Sequence, residues 1–323
     1  HQRGGAASEP ALAARSVFPR RSRASDGGSA GFQIVGDAPT GAIVRSVASV
    51  GDANGDGIID YVVGTPGLNA TGAQAGGAFL VFGRANPADI RLSSIAAGNG
   101  GGFVIRGESA GDVAGAAVSA AGDVNGDGLA DMFVGTAGSS RAYVVFGRTA
   151  VTSVDLAAIR YQLGGFVIEG ETDEHVGLAV APAGDIDGDG FADLIVSVDG
   201  GSHPDRAYVV FGKSTTQAVS LSNIAAGNGG FAIEIPQDQD SLSVSAGGDI
   251  DGDGLADLLV GAPTASGQPG GGGAYVIYGS TSGAFAHSAF TQTGGVGDDV
   301  MSDAGQPAVI AGGAGDDTLS LSR

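Results

Sequence analysis

One nine-residue pattern occurs four times in this chain and limits what the chain can fold into. The copies are Asp52-Ala-Asn-Gly-Asp-Gly-Ile-Ile-Asp60, Asp123-Val-Asn-Gly-Asp-Gly-Leu-Ala-Asp131, Asp185-Ile-Asp-Gly-Asp-Gly-Phe-Ala-Asp193 and Asp249-Ile-Asp-Gly-Asp-Gly-Leu-Ala-Asp257. Oxygen-bearing side chains stand at positions 1, 3, 5 and 9, with glycine at 4 and 6. Carboxylates this close repel one another unless a cation lies among them. Alternate side chains converge on one point only where the backbone curls sharply, which glycine permits. Ca²⁺ takes about six to eight hard oxygen ligands, and a carbonyl at position 7 with water would complete the shell. The pattern predicts four Ca²⁺ loops. Their ligands are Asp52, Asn54, Asp56, the Ile58 carbonyl and Asp60, then Asp123, Asn125, Asp127, the Leu129 carbonyl and Asp131. The other two sets are Asp185, Asp187, Asp189, the Phe191 carbonyl and Asp193, and Asp249, Asp251, Asp253, the Leu255 carbonyl and Asp257.

An EF-hand loop begins in the same way, but it needs a glutamate at position 12 and a helix on each side. Position 12 here is Val63, Val134, Val196 and Val260. The runs behind the loops, such as Tyr61-Val-Val and Leu194-Ile-Val, are short and apolar and read as buried strands. The EF-hand is excluded. A metal-free Asp/Gly turn remains the alternative for any one loop, and four copies with the same spacing argue against it.

Each loop sits inside a longer repeat. A Gly-Phe strand comes first (Gly31-Phe-Gln-Ile-Val, Gly102-Phe-Val-Ile-Arg, Gly165-Phe-Val-Ile-Glu, Gly230-Phe-Ala-Ile-Glu), then a small-residue strand running into the loop. The loop and its buried strand follow. A strand with an aromatic finish ends the unit, as in Ala142-Tyr-Val-Val-Phe-Gly147 and Ala274-Tyr-Val-Ile-Tyr-Gly279. Loop starts lie 71, 62 and 64 residues apart. Four short strands in about 65 residues is the content of one propeller blade. Between units, Leu92-Ser-Ser-Ile, Leu221-Ser-Asn-Ile and the divergent Leu156-Ala-Ala-Ile predict one helical turn, with glycine just past its end in the first and last copies.

The ends of the chain differ from its middle. Residues 1–30 carry five of the fifteen basic residues and no strand pattern, and read as a disordered basic leader or linker. Residues 31–283 are the propeller, and 284–323 a Gly/Asp-rich tail resembling a β-roll. In that tail Gly294–Ser302 and Gly312–Ser320 fit the nonapeptide G-G-x-G-x-D-x-U-x of the Ca²⁺-binding parallel β-roll, with Asp299 and Asp317 as further metal ligands. The intervening nonapeptide keeps only its apolar Ile310. A Gly/Asp-rich tail without metal is the alternative. The chain starts at His1 and stops in mid-pattern, as a processed or partial sequence would.

Composition narrows the function. The net charge is −20 with a single lysine, Lys213, which argues against nucleic acid. Fourteen of the thirty-five acidic residues lie in the four loops, so much of that charge is ligand charge. Cysteine is absent, which excludes disulfides and thiol chemistry, and no apolar run is long enough to span a membrane.

The repeat resembles FG-GAP repeats, the blades of the integrin α-subunit propeller and its bacterial relatives. The resemblance covers residues 31–279 and rests on the Gly-Phe strand, the loop and the V-G-[TA]-P run seen at Val63–Pro66 and Val260–Pro263. It implies an all-β propeller with Ca²⁺ in hairpins on one face and ligand recognition by loops on the other. The tail resembles RTX repeats, which implies a secreted or surface protein of bacterial type. Integrin propellers have seven blades and four are recognisable here. A small closed ring, a piece of a larger ring and an incomplete ring that associates all remain open. The strand at Phe32–Val35 has no preceding blade and is available to complete the sheet of the last one.

The expected function is a secreted Ca²⁺-stabilised module for adhesion or for recognition of a protein or glycan. Two other readings stand beside it. A hydrolase or lyase would need a residue cluster beyond the loops, and the candidates are His175 and His203, with Asp173 and Glu174 reading as solvated. A structural spacer would suit flexible Gly-rich loops such as 67–77.

Overall fold

The computed structural model describes residues 32–37, 43–69, 71–85, 88–172, 174–199, 206–234, 242–262 and 273–281, together with four short strands between 292 and 320. Residues 1–30 lie outside the described residues, so the leader assignment rests on sequence alone. In chain order the strands are β1 (Ile34–Val35), β2 (Ser46–Gly51), β3 (Asp60–Gly64), β4 (Gly77–Val81), β5 (Ile90–Arg91), β6 (Gly102–Arg106), β7 (Ala114–Gly122) and β8 (Asp131–Thr136). They continue with β9 (Arg141–Val145), β10 (Val154–Asp155), β11 (Gly165–Glu169), β12 (His175–Gly184), β13 (Asp193–Asp199), β14 (Arg206–Val210), β15 (Val219–Ser220) and β16 (Gly230–Glu234). The last are β17 (Ser243–Gly248), β18 (Asp257–Ala262), β19 (Gly273–Ile277), β20 (Gln292–Thr293), β21 (Val300–Ser302), β22 (Ile310–Ala311) and β23 (Thr318–Ser320). The connectors form the expected single helical turns, α1 (Leu92–Ala96), α2 (Leu156–Arg160) and α3 (Leu221–Ala225).

Four sheets carry the fold: β2-β3-β4-β6-β10, β7-β8-β9-β11-β15, β12-β13-β14-β16 and β17-β18-β19-β22-β20. Three antiparallel strands of each come from one repeat. The Gly-Phe strand does not open its own blade but closes the sheet before it, as in Phe103↔Leu80, Phe166↔Val144 and Phe231↔Val209. Repeat period alone does not set the phase of a unit. The aromatic pairs do: Phe82 meets Phe103, Phe146 meets Phe166 and Phe211 meets Phe231, with centroids 6.1–6.2 Å apart. The architecture is all-β, of propeller type.

The sheets stack in chain order, with β2, β7, β12 and β17 side by side along the stack. The cores lie between sheets. Val62, Leu80 and Phe103 meet Met132, Val134 and Tyr143, and α2 adds Leu156 and Ile159. Phe133, Val144 and Phe166 meet Leu194, Val196 and Tyr208, with Leu221 and Ile224 of α3. Ile195, Val209 and Phe231 meet Leu258, Val260, Tyr275 and Ile277. Neighbouring residues of each buried strand therefore face opposite blades, and for this reason the strand behind each loop is apolar throughout rather than alternating.

The inner strands approach so closely that a glycine is required. Gly184 has φ +78°, and a Cβ placed there would lie 2.4 Å from the Ala256 Cβ of the next blade. Gly184→Ala is expected to cost about 2 kcal/mol or more in chemical unfolding, from the positive φ and the clash together.

Two features differ from the expected closure. β1 does not reach the last blade but pairs in parallel with β5, Ile34 opposite Ile90, as β6 does with β10 and β11 with β15. The place it would take on β19 is held at Tyr275 by Ala311 of β22. The tail strands pair in parallel, Gln292↔Ile310 and Val300↔Thr318, each across 18 residues or two nonapeptides. Asp299 and Asp317 lie outside the described residues. The Gly-rich segment 67–77, expected to be flexible, is tied down where it is described. Gly76 N–H donates to the Leu68 carbonyl and Thr71 Oγ1 to the Gly107 carbonyl, and Leu68 and Ala75 are buried.

Candidate metal centres

All four loops curl as the glycine spacing requires. Glycines 4 and 6 have positive φ throughout, for example 83° at Gly55 and 82° at Gly57, or 77° at Gly188 and 92° at Gly190. The curl turns the loop amides inward. Asp52 Oδ1 accepts from Gly55 N–H at 2.7 Å and Asp56 N–H at 3.1 Å, and Oδ2 from Gly57 N–H at 2.7 Å. Asp123, Asp185 and Asp249 hold their loops in the same way. The side chain at position 5 accepts from the amide at position 7: Asp56 from Ile58, Asp127 from Leu129, Asp189 from Phe191 and Asp253 from Leu255.

Two loops bring three carboxylates to one point. Ligand oxygens of Asp185, Asp187 and Asp193 lie within 4.8 Å of one another, as do those of Asp249, Asp251 and Asp257. Two oxygens that share a Ca²⁺ at about 2.3–2.6 Å each can be no more than about 5 Å apart, so the spacing and the hard-oxygen donor set fit that ion. Asp189 and Asp253 at position 5 are not in these clusters. In the first two loops position 3 is an amide, and it bonds the position-5 carboxylate: Asn54 Nδ2 donates to Asp56 Oδ2 at 3.1 Å and Asn125 Nδ2 to Asp127 Oδ2 at 2.9 Å. The side chains at position 7 pack against the blade before, Leu129 over Gly55, Phe191 over Gly126 and Leu255 over Gly188.

Position 9 does more than the sequence suggests. Asp60, Asp131, Asp193 and Asp257 are fully buried. Each accepts two backbone amides, one from position 2 of its own loop and one from the glycine that ends the fourth strand of its repeat. Asp131 Oδ2 takes Val124 N–H at 2.9 Å and Oδ1 takes Gly147 N–H at 2.8 Å. The same pairs are Ala53 and Gly83 on Asp60, Ile186 and Gly212 on Asp193, and Ile250 and Gly279 on Asp257. Gly83, Gly147, Gly212 and Gly279 were not among the expected site residues, although the aromatic-Gly ending of each repeat was their signal.

Burial raises the Asp131 and Asp193 carboxyls to about 7. Neighbouring loop carboxylates add to the rise, and the two amide bonds oppose it. Burial also raises Asp60, Asp187 and Asp251, whereas Asp52 is lowered chiefly by the Gly57 amide. Ionising the whole cluster calls for positive charge inside the loop.

The loops are joined across the blades. The carbonyl at position 1 of each loop accepts the amide at position 8 of the next: Asp52 from Ala130 at 2.9 Å, Asp123 from Ala192 at 3.0 Å and Asp185 from Ala256 at 3.1 Å. The carbonyl at position 2 accepts from the residue after the next strand-ending glycine: Ala53 from Arg148 at 2.7 Å, Val124 from Lys213 at 2.7 Å and Ile186 from Ser280 at 2.8 Å. Alternating peptides and position-9 carboxylates thus run as one hydrogen-bonded chain from Asp60 to Asp257.

Outside the loops, His175 Nδ1 lies 3.8 Å from Asp199 Oδ2, both half-buried on paired strands. His203 and Asp173 lie outside the described residues. Glu174 is buried rather than solvated, because its Oε2 accepts the Glu171 amide at 2.7 Å and closes a tight turn.

The FG-GAP repeat family matches residues 114–153, 176–220 and 242–277. Each segment covers the first three strands of one sheet, β7 to β9, β12 to β14 and β17 to β19. Integrin alpha-V of Gallus gallus is 29% identical over 225 residues, which cover 66% of this chain and 19% of that protein. The chain thus corresponds to less than a fifth of that relative's length. No helix among the described residues is long and apolar enough to cross a membrane. FG-GAP repeats thus match on three successive sheets of this chain, which is similar in sequence to an integrin alpha chain.

Proposed function

We propose that the chain is an extracellular Ca²⁺-binding propeller module that recognises a protein or glycan ligand, in adhesion or a related contact, with Ca²⁺ in a structural role. The carrying observation is the convergence of three carboxylates within 4.8 Å in two loops of the same construction as the other two. The ligand sets are those of the four loops, with the position-9 carboxylates joining each ion to the end of the fourth strand. Ca²⁺ suits irregular oxygen shells better than Mg²⁺, which demands near-ideal octahedral geometry. Extracellular Ca²⁺ fills even sites with Kd of about 10⁻⁴ M, so a weak loop would be occupied outside the cell and empty in a low-Ca²⁺ compartment. The 18-residue parallel register of the tail supports the β-roll reading, in which Asp299 and Asp317 would bind further ions. The similarity to an integrin alpha chain supports recognition as the use of the module.

Equilibrium dialysis against radioactive Ca²⁺ should count at least about four ions per chain, and Asp253→Ala should remove about one of them. A panel of immobilised glycans and matrix proteins, probed with Ca²⁺ and again with EDTA, should then give Ca²⁺-dependent retention. An ion count of zero would overturn the metal assignment, and Ca²⁺ uptake without retention on any surface would leave a spacer as the function.

A further inference from the structure

Position 7 of each loop belongs to two loops at once. Its carbonyl is in the ligand set of its own loop, and its amide is held by the position-5 carboxylate, as Phe191 N–H is by Asp189 Oδ1 at 2.9 Å. Its side chain lies on the loop before. A Cβ placed on Gly126 would come within 2.6 Å of the Phe191 ring, one on Gly55 within 3.3 Å of Leu129 and one on Gly188 within 3.2 Å of Leu255. Each of these glycines is position 4, where positive φ makes the curl, 73° at Gly126. The side chain is also fixed from behind. A Cβ on Gly212, the glycine that ends the fourth strand of the third repeat, would meet the Phe191 Cβ at 2.5 Å, and Leu129 and Leu255 stand in the same way against Gly147 and Gly279.

The backbone bonds of the junction start from the same residues. Ala192, next to Phe191, donates its N–H to the Asp123 carbonyl, and Lys213, next to Gly212, donates to the Val124 carbonyl. Gly212 N–H is itself held by Asp193 Oδ1 at 2.7 Å. Positions 1, 2 and 4 of the second loop are therefore fixed by residues that adjoin or belong to the ligand set of the third. The loops also differ in charge. Three carboxylates converge in the third and in the fourth, whereas position 3 of the first and second is an amide, Asn54 and Asn125. Affinity for Ca²⁺ is set by ligand charge and site rigidity.

We propose that the position-7 side chain couples neighbouring loops, so that Ca²⁺ in the third loop raises the affinity of the second through the Phe191 ring. The inference rests on the Ca²⁺ reading of the loops. The Phe191 carbonyl, once engaged by the ion, holds the residue whose ring backs Gly126, and the second loop then binds without the full cost of ordering its own curl. The third loop, with the fuller charge, fills first. By linkage the second loop returns the same factor to the third. Phe191 is thus a positioning residue for the second loop, as Leu129 is for the first and Leu255 for the third.

In a Ca²⁺ titration of the full chain followed by NMR, the amides of Gly128, Gly190 and Gly254 report the second, third and fourth loops. Gly190 should saturate before Gly128. Phe191→Ala keeps the position-7 carbonyl and should raise the Ca²⁺ midpoint at Gly128 at least about fivefold, without moving the midpoint at Gly254. Phe191→Leu, which supplies the side chain found at Leu129 and Leu255, should recover most of that loss. Asp189→Ala, which weakens the third loop, should raise the Gly128 midpoint in the parent and add nothing in the Phe191→Ala background. An unmoved Gly128 midpoint in either single variant overturns the coupling and leaves the four metal loops in place. The absence of any Ca²⁺-dependent shift at the three glycines overturns the metal reading, and the coupling with it.

Discussion

Replacing Asp131 by alanine is expected to lower stability by about 3–5 kcal/mol, in EDTA as well as in Ca²⁺. The carboxylate is fully buried and holds two amides, those of Val124 and Gly147. Its removal strands both amides in a dry site, at about 1–3 kcal/mol each. It also frees the segment through which Arg148 N–H reaches the Ala53 carbonyl of the first blade. The loss should therefore spread to the junction between the first two blades. Urea unfolding of the parent and variant under both conditions measures it. Asp131→Asn keeps one acceptor and should fall between the two. A loss under about 1 kcal/mol in EDTA would show that position 9 matters only as a metal ligand.

Chelation is the second large effect. At an extracellular Ca²⁺ level about ten times a Kd of 10⁻⁴ M, each loop gains about 1.4 kcal/mol from binding, and four loops about 5–6 kcal/mol. A chain of this size should then melt at least about 10 °C lower in EDTA than in millimolar Ca²⁺. Differential scanning calorimetry with the ion count run in parallel checks it. Equal melting temperatures would mean that the loop amides alone hold these carboxylates.

Much of this fold can be read from residue order. The loop with glycine at positions 4 and 6 needs positive φ at both, and the structure has it in every copy. The apolar run behind each loop, too short for a helix, had to be a buried strand, and Leu-x-x-Ile before Gly-Asn-Gly had to be a single helical turn. Two readings are overturned. Glu174 was read as solvated, and its carboxylate instead closes a local turn on the Glu171 amide. Segment 67–77 was read as flexible, and the Gly107 carbonyl, distant in the chain, holds Thr71.

The sequence by itself determined the all-β repeat and the curl of the four glycine-bearing loops, because these depend on local backbone freedom and on the spacing of apolar runs. Only the tertiary structure decided the rest. Position 9 became a buried tie because Gly147, sixteen residues on, turns its amide toward Asp131. The loops became one hydrogen-bonded chain because neighbouring blades approach closely enough for Asp52 to accept from Ala130.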